Sequence, residues 1–459
     1  MTNILFIMTD NQGAWTLGCH GNDEIRTPNI DRLAAQGMRF AQAYAVNSVC
    51  SPSRATFFTG LLPSQHGVHC YLGAEQPDAQ MGPDAYSTIG EFVNLPRLLH
   101  DNGYRCGLAG KWHLGDSLQP QEGFDYWFTK PKGHTTAFYH AEAIWNGEVY
   151  NEPRYATDAI TAHALDFLGQ AAGGEAPFFL FVGYNGPYGL GESMTYTHEN
   201  RHTEYYADKD LVCFPREPTH PWLVHNRKFM ANPVSMRGYA AAVSAVDDGV
   251  GAIMAELEQQ GKAQDTLVIY TADQGLCGGH HGMWGMGDHS RPIHTFEQTM
   301  HIPLIFRHPQ RIPAGGTFTG RTCNYDFLPS VLEHLNIDPV RPPEHPELPG
   351  RSYAAHLQGA GQDSWDEEQF FHEFENVRCV RTERWKYTWR HPDGPDELYD
   401  MVADPGERWN LAHDPACSAV VDEHRQRIDA FFGRYADPRW DLWRGGGSKA
   451  GRLHGAERK

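Results

Sequence analysis

Cys50-Ser51-Pro52-Ser53-Arg54, running on to Thr59-Gly60, is the stretch around which this chain is organised. Ala45-Val46 precede it, so a buried strand is expected to give way here to a helix. Pro52 suits the first helical turn and Ser51 the N-cap. Such a start aims free backbone N–H groups and the positive end of a helix dipole at whatever Cys50 holds. A cysteine so placed is expected to be reactive, and an anion beside it is stabilised. Arg54, one turn further on, folds back toward the same spot. The plain alternative is a structural cysteine next to an ordinary arginine, and for a lone cysteine that would be preferred. Four identities in register, with Thr59-Gly60 closing the helix, tell against it.

Working outward, residues 4–8 form a continuous apolar run, as expected of a strand buried on both faces of a parallel sheet. It ends in Thr9-Asp10-Asn11-Gln12-Gly13, which places Asp10 at the carboxyl end of a central strand, where open α/β sheets build their sites. Residues 267–270 repeat the pattern and end in Thr271-Ala272-Asp273-Gln274-Gly275. One such Asp could simply cap a turn. Two strands that each present a carboxylate and an amide at one sheet edge make a hard, oxygen-rich site. That suits Ca²⁺, with Mg²⁺ or Mn²⁺ as alternatives, better than zinc.

Between these strands, Thr27-Pro28-Asn29 opens a helix with Ile30, Leu33 and Ala34 on one face, closed by Gly37. A strand over 38–46 leads into the Cys50 turn. A helix over 93–102 and a strand over 104–109 deliver Gly110-Lys111-Trp112-His113-Leu114-Gly115. Lys111 and His113 lie two apart and share a face in extended chain. Helices are expected over 157–168 and 239–257, and buried strands over 178–182 and 302–306, the last closing the sheet. Residues 189–235 show little periodicity and read as a long loop region shaping substrate access.

After Pro339 the texture changes. Pro342, Pro343, Pro346, Pro349 and Gly350 mark a boundary. Short strands over 370–374, 378–381, 385–389 and 397–400 look antiparallel, with a helix over 418–432 laid across them. The expected organisation is a catalytic domain over 1–345, an α+β subdomain over 346–445 and a flexible Gly- and Lys/Arg-rich tail over 446–459. The fold class is α/β: a large mixed, mostly parallel sheet sandwiched by helices, followed by a smaller antiparallel sheet with a helix.

The 459 residues are 40% hydrophobic and 12% aromatic, ample for a large core. The formal net charge of −19 argues against nucleic acid or an anionic membrane as partner. An anionic substrate therefore needs a local positive pocket. Nine cysteines without paired spacing show no zinc or disulfide framework and fit a reducing compartment. The five apolar residues after Met1-Thr2-Asn3 are too few for a signal core, no run spans a membrane, and the expected location is cytoplasmic.

The pattern Cys50-x-Pro52-Ser53-Arg54, then Thr59-Gly60, resembles the signature of the type I sulfatases. Asp10 with Gln12-Gly13 looks like that family's first metal turn. Thr27-Pro28-Asn29-Ile30-Asp31-Arg32-Leu33-Ala34 resembles its first helix, and Gly110-Lys111-Trp112-His113-Leu114-Gly115 its Lys and His motif. Asp273-Gln274-Gly275 with His281-Gly282 resembles the second metal turn. Residues 381–387, 397–400 and 404–405 resemble its C-terminal subdomain. The implied fold is that of the alkaline phosphatase superfamily.

The resemblance implies that Cys50 is oxidised to formylglycine (3-oxoalanine) by a formylglycine-generating enzyme and acts as the nucleophile. Asp10, Asn11, Asp273 and Gln274, with the modified Cys50, would hold the metal. Arg54 would brace the aldehyde hydrate, Lys111 would hold a sulfate oxygen, and His113 would help collapse the hydrate. One hydroxyl of a hydrate attacks sulfur; the other, once deprotonated, reforms the aldehyde and expels sulfate. The substrate would be a small-molecule or carbohydrate sulfate ester, aryl sulfates included, and self-association is left open. Four departures stand out: Asn11 and Gln274 where the family often has Asp and Asn or His, Tyr188 in place of a His, and Met286 in place of a Lys. The leaving-group acid is thus unassigned, with His289 and Arg291 as nearby substitutes, His134 as a weaker one, and Tyr188 a further residue expected to touch substrate. A phosphonate monoester or phosphodiester hydrolase on the same fold, or a non-catalytic sulfatase-like binding protein, are the alternatives.

Overall fold

The computed structural model describes residues 1–73, 86–196, 199–339, 342, 344–359, 365, 370–451, 453 and 454. Pro343 of the expected boundary and residues 452 and 455–459 of the expected tail lie outside these. The first apolar run forms β1 (Asn3–Asp10), buried along its whole length. Its alternating side chains serve two cores. Ile4, Phe6 and Met8 meet Phe57, Phe58 and Phe327 on one face, while Leu5 and Ile7 meet Phe167, Val246 and Val250 on the other. Helices on both faces are what require every residue of the strand to be apolar.

The helix α1 (Pro28–Ala35) follows, with Thr27 at its N-cap, and then β2 (Met38–Tyr44) and α2 (Cys50–Thr59). Further on come β3 (Arg105–Gly110), β4 (Tyr126–Thr129), β5 (Ala141–Trp145), β6 (Glu148–Glu152), β7 (Phe178–Pro187) and β8 (Thr266–Ala272). They belong to one 11-stranded sheet whose central run is β8-β1-β7-β3-β4. That run is parallel throughout, with antiparallel joins on both flanks.

The strand expected over 302–306 does not close the sheet. Pro303 has no N–H to give, and the strand is split into His301–Ile302 and Leu304–Arg307. Leu304–Arg307 lies between β8 and β2, and Gly316–Cys323 pairs with β2 beyond it. Helix α2 also starts earlier than expected. Val49, in extended backbone, is its N-cap, and Cys50 is its first residue. Ser51 lies within the first turn, its Oγ accepting from Leu72 N at 3.1 Å, so the hydroxyl anchors a neighbouring loop instead of capping. Gly60, at φ +69°, ends the helix. Residues 189–235 are not merely an access loop: Tyr206, Leu211, Phe214 and Phe229 bury themselves against Tyr239 and Trp284.

The C-terminal strands form a four-stranded antiparallel meander over Phe370–Phe374, Val377–Arg381, Trp385–Arg390 and Glu397–Asp400. Helix Ser418–Tyr435 lays Val421, Ile428 and Phe432 on Val380, Tyr387 and Leu398. Beyond the proline cluster, Tyr353 and Leu357 pack among the core residues of the large sheet. The expected tail is also anchored in its first part. Lys449 Nζ donates to Thr88 O at 2.8 Å and pairs with Glu91, Lys449 N donates to Gly67 O at 2.7 Å, and Ala450 is buried. Composition signals flexibility there, but an amine with two oxygen partners and a buried methyl outweigh it.

Candidate active site

Five polar residues stand at the carboxyl ends of parallel strands. Asp10 is the last residue of β1, and Lys111, Lys130, Tyr188 and Asp273 each follow β3, β4, β7 and β8. Because β1 is hydrogen-bonded to both β7 and β8, Asp10 and Asp273 become neighbours in space although 263 positions separate them in the chain. The backbone at this edge is held in unusual shapes. Asn11, His113 and Tyr188 all have positive φ, at 60°, 64° and 59°. Asn tolerates this cheaply; for His and Tyr it costs on the order of 1 kcal/mol or more, a burden that surrounding contacts must overcome. Those contacts are present: Tyr188 N donates to Asp10 O at 3.0 Å, and Asn11 Nδ2 donates to Tyr188 O at 2.9 Å.

Cys50 sits between the two carboxylates. Its Sγ donates to Asp10 Oδ1 at 3.3 Å, and Asp10, Cys50 and Asp273 present ligand atoms within 4.8 Å of one another. Arg54, fully buried, grips Asp273 Oδ2 with Nε at 3.0 Å and Nη2 at 2.9 Å, and its Nη1 donates to Lys111 O at 2.7 Å. Lys111 Nζ pairs with Asp10 Oδ2 at 2.7 Å. Asn11 N and Gln274 N both donate to Asp273 Oδ1, at 3.2 and 2.9 Å. Gln274 Nε2 donates to Asn11 Oδ1, to Cys50 Sγ at 3.2 Å and to Met286 Sδ at 3.3 Å. Every catalytic and metal residue expected from the sequence motifs, His113 and His289 apart, is joined in this one network.

The protonation states follow from burial and crowding. Burial and the adjacent Asp10 raise the Asp273 carboxyl, to about 7, against the pull of Arg54 and Lys111. Burial also opposes ionisation of Asp10, but Lys111 and Arg54 beside it hold it below the usual carboxylate range. Burial and Asp10 push the Cys50 thiol far up. This corrects the expectation of a reactive cysteine. A helix N-terminus alone would lower the thiol, yet two carboxylates in a dry site outweigh it. His113 is driven well below its ordinary value by burial and by Lys111, so it is neutral. Its Nε2–H donates to Leu72 O at 2.9 Å, which leaves Nδ1 as a bare lone pair with no hydrogen-bond partner.

The donor set fits a hard divalent cation. Two buried carboxylates crowd one another, and Gln274 Oε1 is a buried oxygen with no donor. A cation drawing oxygen from Asp10, Asn11, Asp273 and Gln274 relieves both.

The other expected residues are placed less centrally. His134 Nδ1 lies 3.1 Å from Tyr188 OH, and its ring is 6.2 Å from that of His113. Burial and Lys111 lower it to about 4. His289 Nδ1 lies 3.1 Å from Met286 N and 3.2 Å from Asp288 Oδ1. Arg291 Nη1 donates to the backbone oxygens of Asp288 and Ser290, at 2.7 and 2.8 Å. His281 stacks on Phe296 and stands apart from the carboxylates. Trp112 and Trp127 are buried against Phe58, Phe124 and each other, and serve the core.

Four contributors escaped sequence reasoning. Ser53 Oγ donates to Asp273 O and so locks α2 to the end of β8. Tyr239 OH donates to Asn11 O at 2.6 Å, although its helical spacing reads as core. Asp288, buried, carries a carboxyl held near 2 by His289 and His454 against the effect of burial. Lys130 donates to Thr135 Oγ1 at 2.9 Å and is lowered to about 7 by burial and by Lys111. Its position directly after a short apolar strand was the available signal.

The family described as Sulfatase matches residues 2–337, and one described as N-sulphoglucosamine sulphohydrolase, C-terminal, matches residues 282–432. An N-acetylglucosamine-6-O-sulfatase of Bacteroides thetaiotaomicron is 27% identical, over 95% of this chain and 87% of its own length. The N-acetylgalactosamine-6-sulfatase of Mus musculus is 31% identical, over 93% and 86%. A solved structure in complex with its substrate, D-glucosamine-2-N,6-O-disulfate, superposes with a TM-score of 0.73 at 25% identity, covering 95% of this chain and 98% of that one.

Proposed function

Since the chain belongs to the sulfatase family, we propose that the sulfate ester it cleaves is carried by a sugar and that Cys50 is the precursor of its nucleophile. The enzyme is a sulfuric ester hydrolase, releasing an alcohol and inorganic sulfate. The sugar is supported by the relatives named for hexosamine sulfates and by the glucosamine disulfate complex. The nucleophile is supported above all by one observation: Cys50 opens α2 between Asp10 and Asp273, its Sγ 3.3 Å from Asp10 Oδ1, where burial and both carboxylates push its thiol up. An unmodified cysteine is thus poorly suited to attack sulfur. A formylglycine at this position supplies, as its hydrate, one hydroxyl to attack and a second whose deprotonation expels sulfate. Cys50 is only 3% exposed, so we place its oxidation by a formylglycine-generating enzyme before α2 packs.

The residues around it divide the remaining work. Asp10, Asn11, Asp273 and Gln274 would hold a divalent cation, for which we propose Ca²⁺; when bound, it supplies positive charge to the nucleophile and to a sulfate oxygen. Arg54 holds Asp273 in place and favours its ionised form against burial and Asp10. Lys111 stands beside Asp10 and offers its ammonium to a second sulfate oxygen, where charge grows as the S–O bond breaks. Neutral His113, with Nδ1 bare, accepts a proton. For the leaving oxygen we propose His289. Its Nδ1 accepts from Met286 N–H at 3.1 Å, which puts the ring proton on Nε2, the nitrogen left for the alcohol. We further propose a cytoplasmic location, consistent with nine cysteines that are all free.

The deciding experiment is a rate screen of the matured enzyme over carbohydrate, aryl and alkyl sulfates, with an aryl phosphate alongside. A hexosamine 6-O-sulfate should be the best substrate by kcat/KM. A higher kcat/KM on the phosphate would favour the phosphonate or phosphodiester alternative, and no turnover of any ester would favour a binding protein.

A further inference from the structure

Beside Lys111, between the ends of β3 and β4, the β5–β6 hairpin and helix Ala156–Ala171, lies a cavity of about 320 Å³. Its walls include Lys111, Lys130, Lys132 and His134. In a chain of net charge −19, three lysines on one cavity form a local positive region against the prevailing field. Lys111 pairs with Asp10 at 2.7 Å. Lys130 is half-buried, and the partner its amine finds is the neutral hydroxyl of Thr135. Lys132 is exposed at the rim. Among the described residues neither Lys130 nor Lys132 has a carboxylate partner. The acidic wall residues do not cancel them: Glu152 is paired with Arg154 at 2.8 Å, and Glu142 is exposed. Holding Lys130 beside Lys111 in a partly desolvated wall is costly, because like charges repel and neither is fully hydrated. An anion entering the cavity offsets that cost. The cavity adjoins the reacting centre: Lys111, which pairs with Asp10, lines it, as does His134, whose Nδ1 is 3.1 Å from Tyr188 OH.

We propose that this cavity is a second anion subsite, taking a further sulfate or a carboxylate of a saccharide whose scissile sulfate lies at Cys50. The assignment rests on the sugar-sulfate reading above and narrows it to substrates with at least two negative groups. Lys130 contacts the second anion from the wall and Lys132 from the rim.

The test uses the matured enzyme with 4-nitrophenyl sulfate as reporter substrate, so that subsite binding is read whether or not a sugar is turned over. Inhibition constants are measured for glucosamine 6-O-sulfate, for glucosamine 2-N,6-O-disulfate, and for a disaccharide joining glucosamine 6-O-sulfate to a uronate. The expected result is an inhibition constant about tenfold lower for at least one dianion than for the monosulfate, the order of one charge-assisted contact. The disulfate and the uronate arms tell which anion is preferred. In Lys130→Met the advantage should fall below about threefold, and Lys132→Met, altered on an exposed loop, should reduce it in part. Equal constants for all three sugars, or an undiminished advantage in both variants, would overturn the subsite. If the dianions inhibit better yet no sugar sulfate is hydrolysed, the subsite stands and the sugar-sulfate reading falls. If sugar sulfates are hydrolysed without a dianion advantage, the reverse holds.

Discussion

Replacing Lys111 by Met keeps the length of the side chain and removes its charge. In the structure Lys111 Nζ and Asp10 Oδ2 are 2.7 Å apart, and both side chains are at most 1% exposed. Asp10 would keep the thiol of Cys50 and the weaker fields of Arg54 and Lys130 to support a buried negative charge. Breaking such a pair by removing one partner costs about 3–5 kcal/mol. For domains of roughly 200 residues that is about 2–4 °C of Tm per kcal/mol, and less for a longer chain, so a fall on the order of 5 °C is expected in metal-free protein. A bound cation compensates Asp10, so saturating Ca²⁺ should recover much of the loss and stabilise the variant more than the wild type. Catalysis has no such rescue. Removing one donor aimed at developing oxyanion charge costs about 10²–10³ in kcat, or about 2.7–4 kcal/mol. The assays are thermal unfolding with and without Ca²⁺ and initial rates on an aryl sulfate, at Cys50 modification levels matched by mass spectrometry. A variant whose kcat/KM stays within about tenfold of wild type would refute the role assigned to Lys111. So would a Tm gap between the two proteins that Ca²⁺ leaves unchanged.

Cys50→Ala should abolish turnover with little change in Tm, and the Cys50 peptide of active wild type should show the mass change for CH₂–SH becoming CHO; retained activity in the variant removes Cys50 from the mechanism. Asp273 is raised to about 7, so protons compete with the cation below that pH: Ca²⁺ affinity should rise roughly tenfold per unit from about pH 6 to pH 7 and then level off, and a flat profile by calorimetry would contradict it. In metal-free protein the same raised value makes stability present at about pH 4 and progressively lost as pH rises to about 7. Asp273→Asn should flatten that slope in urea unfolding. His289→Ala should slow a sulfate ester with a poor leaving group far more than one with a good leaving group, and an equal fall on both would deny it the acid's role.

Local sequence was sufficient wherever the signal is periodic or terminal. Unbroken apolar runs announced β1, β7 and β8 as strands covered on both faces, because only such strands need no polar side. Gly60, Pro28 after Thr27, and the strand-end Asp10, Lys111 and Asp273 were legible because caps and strand termini constrain residues within a few positions. The family motif then joined these points into one expected site. What no window of sequence contains is register between distant strands. Pairing β1 with both β7 and β8 is what brings Asp10 to Asp273 and sets Tyr188 against Asn11. The same long-range packing reversed two local inferences. Cys50 sits at a helix start that should lower its thiol, and burial together with two carboxylates carried in from other strands raises it. Residues 446–451 have the composition of a loose tail, and Thr88, Glu91 and Gly67, distant in sequence, tie Lys449 down. Lys130 belongs to none of the sequence motifs, and the parallel pairing of β4 with β3 is what sets it next to Lys111. Electrostatic interactions act through space between residues brought together by folding, so charge state and pocket character were decided only by the tertiary structure, while the elements that carry those residues were already determined along the chain.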